Sequence, residues 1–134
     1  MNNLILQGSE KTPHINLNRN GDLSFHGVST PEDAAEFYFE IMEWISDYYR
    51  NPCKKTHITI SFRYLNSTSS SMLVKMFYFL NKLQAIGKTQ VKCQWYYETS
   101  DENMLEYIQH IRENAELIDF SIHPTDNIFD AQAS

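Results

Sequence analysis

Alternating strand-like and helix-like segments along 134 residues predict an α/β fold with a mixed, largely parallel sheet. Three observations carry this expectation. Asn20-Gly21 lies between two alternating apolar runs, the signature of an N-terminal β-hairpin. Downstream, segments with helical apolar spacing alternate with runs rich in β-branched and aromatic residues. The composition is 42% hydrophobic with only four glycines and four prolines, which argues against disorder and long linkers. One domain over 1–134 is therefore expected, with no internal repeat and a frayed tail over 124–134.

The hairpin is expected over 14–27. Ile15 and Leu17 form one alternating run, Leu23 and Phe25 the other, and Gly21 supplies the positive φ of the turn. A first helix follows Ser29-Thr30-Pro31-Glu32-Asp33. Thr30 is the expected cap, Pro31 suits the first turn, and the acids complement the dipole. It should run to about Tyr49, before Pro52, with Phe37, Ile41, Trp44, Ile45 and Tyr48 on its apolar face. Tyr38, Phe39, Met42 and Tyr49 widen that face, which favours a helix sandwiched within the domain over one meeting a partner.

A strand is expected at 57–65, a second helix at about 69–86 ending at Gly87, and a third strand at 90–98. Thr99-Ser100-Asp101-Glu102 reads as the start of a third helix reaching about Ala115, and 117–123 as a last short strand. Between the strand at 57–65 and the second helix lie five consecutive hydroxyl residues, Ser67 to Ser71. Serine and threonine are good helix caps, and on residue chemistry alone capping is the favoured account. A cap needs one hydroxyl, however, and a phosphate on such a residue would meet the positive end of a helix. In an open α/β sheet the carboxyl ends of the strands, where this run falls, are where ligands and chemistry gather.

Several classes have no support. The net charge is −6 and no basic run appears, which disfavours nucleic acid and anionic membrane surfaces. No signal peptide and no apolar run of spanning length is present, so Cys53 and Cys93 are expected as reduced thiols of a cytoplasmic protein. Gly8, Gly21, Gly27 and Gly87 stand alone, so there is no Gly-rich phosphate loop. The cysteines lack metal-ligand spacing, and His14, His26, His57, His110 and His123 are dispersed and each read as structural. Glu32, Asp33, Glu36, Glu40 and Glu43 read as a solvated acidic face rather than a cation site. A Ser/His/Asp triad assembles in space, so sequence does not rule on it, but no nucleophile elbow surrounds any serine. No cofactor, metal site or catalytic residue is expected.

Four motifs in order then resemble the SiaC-type biofilm-regulation phosphoproteins, a family similar to the STAS-domain anti-sigma factor antagonists. They are Thr12-Pro13-His14-Ile15-Asn16-Leu17 with Gly21-Asp22-Leu23-Ser24-Phe25-His26-Gly27; Ser29-Thr30-Pro31-Glu32-Asp33-Ala34-Ala35-Glu36-Phe37-Tyr38, followed by Trp44; Tyr64-Leu65-Asn66-Ser67-Thr68-Ser69-Ser70; and Trp95-Tyr96-Tyr97-Glu98 with Asp101-Glu102-Asn103-Met104. The resemblance runs from about Thr12 to Phe120 and implies a STAS-like fold.

It also implies a switch rather than an enzyme. Family members are phosphorylated on a hydroxyl of the signature loop by a dedicated kinase, and a PP2C-like phosphatase reverses this. The unmodified form binds and activates a diguanylate cyclase, which raises cyclic di-GMP. The STAS antagonists are modified on the second hydroxyl of an Asp-Ser-Ser-Gly loop, where this chain has Asn66-Ser67-Thr68. The SiaC pattern places its threonine directly after the asparagine, at the position of Ser67. Thr68, the only threonine of the run, is taken first as acceptor, then Ser67, then Ser69. Tyr64, Asn66, Ser70, Ser71 and Tyr38 are the expected partner-binding residues, and Tyr78 is a further exposed-aromatic candidate. The alternative is a small-ligand-binding STAS-like module, or a small enzyme, using the same sheet edge. A scaffold without a switch is the third option.

Overall fold

The computed structural model describes residues 2–126. The expected tail from 127 onward lies outside the described residues. Elements follow the order β1 (Leu4–Leu6), β2 (His14–Leu17), β3 (Asp22–Ser29), α1 (Ala34–Arg50), β4 (Lys55–Leu65), α2 (Ser67–Ala85), β5 (Gln90–Glu98), α3 (Glu102–Glu113) and β6 (Asp119–Thr125). All six strands join one sheet in chain order. The pairs β1–β2 and β2–β3 are antiparallel, and β3, β4, β5 and β6 run parallel. The mixed, largely parallel α/β sheet is thus as expected.

Chain order in a parallel sheet has a consequence. Each right-handed crossover steps the same way, so all three helices cover one face. The burial alternation agrees: Ile15, Leu17, Leu23, Phe25, Ile58, Ile60, Phe62, Val91, Cys93 and Trp95 are buried under the helices. Phe62 and Phe77 meet the Trp95 ring at 6.1 and 6.4 Å between centroids, which ties the sheet to α2. Burial pushes the Cys93 thiol far above its usual range. At the hairpin Gly21 has φ +98°, and a Cβ there would come within 2.5 Å of the Lys55 carbonyl oxygen. The turn therefore needs glycine for conformation and for space.

The other face carries no helix among the described residues and is polar. Its cross-strand row runs His14, His26, Ser61, Tyr96 and His123, so histidines scattered in sequence gather on one surface. His26 Nδ1 lies 2.7 Å from Ser61 Oγ, and the Tyr96 and His123 rings stack at 4.8 Å. Burial, and then the neighbouring His14 charge, lower the His26 pKa. Among the described residues no group of three or more His, Cys, Asp or Glu could hold a metal ion.

Several boundaries differ from expectation. β1 was not anticipated, because Leu4-Ile5-Leu6 is short and does not alternate. Asp33, not Thr30, caps α1 by accepting from the Glu36 N–H, while the Thr30 N–H bonds the Lys11 carbonyl. The second helix begins two residues early, at Ser67, and the last strand runs 119–125 rather than 117–123. Gly87 does take φ +78° after α2. On α1, Tyr38 and Tyr48 are buried as the sandwiched reading expects, but Phe39 is 63% exposed.

Candidate functional site

The β4–α2 junction sets the geometry of the hydroxyl run. Asn66, not a hydroxyl, is the cap: its side-chain oxygen accepts from the Ser69 N–H at 2.9 Å and from the Thr68 hydroxyl at 3.2 Å. Its own N–H donates to the Ser29 carbonyl at 3.1 Å, which pins the junction to the end of β3. All five hydroxyl residues therefore lie within the first turns of α2.

Helical rotation then divides them. Successive residues turn by about 100°, so a run of five cannot share one face. Ser69 is fully buried and Ser70 is 4% exposed, whereas Ser67, Thr68 and Ser71 face solvent. The Ser71 hydroxyl donates back to the Ser67 carbonyl at 3.1 Å.

The inward pair belongs to the core. Ser29 Oγ donates to Ser69 Oγ at 3.0 Å and sits 2.7 Å from the Tyr38 hydroxyl. A serine has one proton, so Ser29 accepts from Tyr38 while it donates to Ser69. This chain of hydroxyls links β3, α1 and α2. Burial raises the Tyr38 pKa to about 12, partly offset by its hydrogen bond to Ser29 and by the nearby Ser69 hydroxyl.

The expected site residues thus separate. Thr68, Ser67, Ser71 and the 58%-exposed Tyr64 point outward, with the Arg63 guanidinium 5.7 Å from the Tyr64 ring centroid. Asn66 is half-buried as the cap. Ser69, Ser70 and Tyr38 are inside, so Tyr38 presents no surface: its ring fills the core under α1 and its hydroxyl is held by Ser29. Tyr78 is half-exposed on α2.

Two open depressions flank Thr68 and its cap. One, of about 410 Å³, lies between the starts of α1 and α2 and is lined by Glu32, Asp33, Ala34, Ala35, Thr68, Ser71 and Met72. The other, of about 270 Å³, is lined among others by Thr30, Tyr64, Asn66, Asp101, Asn103 and Tyr107. Sequence reasoning missed Ser29 as the inner anchor and Asp33 as a wall of the first groove. The only signal for Ser29 was its place at the end of an alternating strand, which read as a cap region instead.

Comparison with known proteins agrees with this fold. Residues 6–125 match the model of the SiaC family of regulatory phosphoproteins. An uncharacterised protein of Pseudomonas aeruginosa strain UCBPP-PA14 is 24% identical over 115 residues, 85% of this chain and 90% of the relative. The fold is similar to apo-SiaC from Pseudomonas aeruginosa, with a TM-score of 0.81, 24% identity, and coverage of 92% of this chain and 99% of that one. It is equally similar, at TM-score 0.81 and 24% identity, to a chain in the structure of the diguanylate cyclase SiaD with its activator SiaC from the same organism. There, 91% of this chain and 99% of the matched chain are covered.

Proposed function

The chain belongs to the SiaC family of regulatory phosphoproteins, and we propose that it is a non-enzymatic signalling protein whose binding to a protein partner is set by reversible phosphorylation of Thr68. A kinase adds the phosphate and a PP2C-like phosphatase removes it. The partner is a diguanylate cyclase, as SiaD is for the related activator. The setting is cytoplasmic, which the lack of any membrane-length apolar helix among the described residues permits.

One observation carries the reading: in a run of near-identical hydroxyls, Thr68 is outward while Ser69 and Ser70 are sealed in the core. A kinase must reach the oxygen, which counts against Ser69 in the folded protein and leaves Ser67, of the three candidate acceptors, as the alternative to Thr68. The Thr68 hydroxyl donates only to the neutral amide oxygen of Asn66 among its described hydrogen bonds. An amide cannot take the proton away, so the base that activates Thr68 comes from the kinase. The product phosphate, carrying about −1.5 to −2 charges, sits in the first turn of α2, where the helix dipole favours it. The fold tolerates the modification, and the charge acts on what docks there. A phosphate forced into an interface without a cation must be desolvated, and ~1.4 kcal/mol already changes affinity tenfold.

The test is intact mass and peptide mapping of the protein purified from its own cells. An 80 Da increment, the mass of one phosphoryl group, is expected on the peptide containing Ser67–Ser71, localised to Thr68. No increment under any growth condition would remove the switch.

A further inference from the structure

We propose that the outward face of α2 docks an acidic helix of a protein partner, with Thr68 at the amino-terminal end of the contact line. The inference rests on the reading of Thr68 as the switch and goes beyond it by assigning the surface and the partner's chemistry. Thr68, Ser71, Lys75, Tyr78 and Lys82 are all exposed. They recur at alternating steps of three and four residues, which places them along one line of the helix. This is the spacing that keeps a facing helix in register over several turns.

Charge identifies the occupant. α2 carries no carboxylate, and its only charged residues are Lys75 and Lys82. The flanking helices are acidic. α1 has Glu36, Glu40, Glu43 and Asp47 against Arg50, and α3 has Glu102, Glu106 and Glu113 against Arg112. In a chain of net charge −6 the middle helix is a cationic line between two acidic walls. Neither ammonium is ion-paired among the described residues. Lys82 instead rests over the half-exposed Tyr78 ring at 4.6 Å, an aromatic with a cation at the centre of the line. Tyrosine anchors of this kind dominate interface energies.

The matching ligand is a helix with carboxylates seven residues apart, opposite Lys75 and Lys82, and an apolar side chain between them against Tyr78. The acidic walls repel a diffuse polyanion such as nucleic acid and so select a helix whose carboxylates fall only on the central line. The same pattern gives a physical cause for the direction that the family resemblance implies. A phosphate on Thr68 adds like charge to the line facing an acidic helix, so modification releases the partner.

The experiment has two arms. First, a helix-stapled peptide of about three heptads, with Glu at seven-residue spacing and Leu between, is titrated into the unmodified full chain. Amide NMR shifts are expected along α2, and a control peptide with Lys for Glu should not bind. The charge reversal Lys75→Glu with Lys82→Glu should weaken binding about tenfold or more, and the neutral pair Lys75→Gln with Lys82→Gln should weaken it less. Circular dichroism verifies that both variants fold. Shifts elsewhere, or binding indifferent to both lysine pairs, would overturn the α2 surface. Second, the organism's own diguanylate cyclase is tested against the same variants and Thr68→Glu. Loss of binding with Thr68→Glu but not with charge reversal keeps the switch and overturns the α2 line. A cyclase that ignores the unmodified chain, beside a peptide that binds through the lysines, keeps the surface and overturns the cyclase reading.

Discussion

The two ends of α1 carry the same device and put it to different use. Near the start of the helix Tyr38 meets Ser29 and, through it, Ser69. Near its end Tyr48 meets Thr56, and Thr56 meets Thr89, at 2.9 and 2.7 Å. Each is a buried tyrosine whose hydroxyl closes a chain of two others, and each ties α1 to the sheet. At the far end all three groups are buried, and the network ends in the core. At the near end the last member, Ser69, sits inside a helical turn whose other hydroxyls, Ser67, Thr68 and Ser71, face water. Clustered hydroxyls alone are therefore structural, and what distinguishes the end proposed as the switch is the outward remainder that the network does not consume.

Ser69→Glu should break that comparison most severely. It places a carboxylate where the native side chain is fully buried and hydrogen-bonded. With no cation assigned there, a loss of roughly 3–5 kcal/mol is expected, enough to unfold most of a marginal domain. Chemical denaturation reads this directly. A stable, folded Ser69→Glu protein would mean that the inner half of the run is open and that Ser69 returns as an acceptor.

A smaller effect sharpens the symmetry. Tyr38→Phe and Tyr48→Phe each remove one hydroxyl from a buried chain, and each should cost about 1 kcal/mol near neutral pH. The alkaline limb should show more. The folded Tyr38 pKa is raised to about 12 from an ordinary 10. Stability that is complete below pH 10 is therefore lost progressively as pH rises toward 12, because the unfolded chain gives up its proton first. Burial raises Tyr48 in the same direction. Replacing Tyr38 by phenylalanine should flatten part of this slope. An unchanged slope in both variants would place the titrating groups elsewhere.

How much of this the sequence revealed follows the same division. The hairpin, the three helices and the parallel strands were legible because period and turn chemistry are local: Asn20-Gly21, the alternation of Ile58 and Ile60, and Gly87 each report on their own neighbourhood. The site was legible as a run but not as a surface. Which hydroxyls face out depends on how far the helix reaches: a start at 69 leaves Ser67 and Thr68 in a loop, whereas the start at 67 puts both on the helix beside Ser69 and Ser70, which fall on the buried side with Leu73. Tyr38 was placed at the partner surface because an excess of aromatics on α1 signals breadth but not direction. Phe39, one residue on, is the one exposed. The cap at Asn66 is local, three residues from Ser69, and the favour that helix starts show to asparagine could have signalled it, but the bond from Ser29 to Ser69 crosses forty positions, and nothing in the order of residues encodes it.

The smallest expected effect decides the comparison. Thr68→Glu, one residue from Ser69, should change stability by no more than about 0.5 kcal/mol. The new carboxylate is solvent-exposed and in the first turn of a 19-residue helix, where the dipole contributes a favourable ~0.3–1 kcal/mol. Against this stand Glu32 and Asp33 across the open groove, like charges whose repulsion water and salt screen. Losing the threonine's hydrogen bond to Asn66 removes little, because the Ser69 N–H still holds the cap. Thermal unfolding of Thr68→Glu beside Ser69→Glu should thus give near-native behaviour for one and collapse for the other. If Thr68→Glu unfolds as readily, the outward half of the run is as structural as the inward half, and α1 carries two structural networks and no switch.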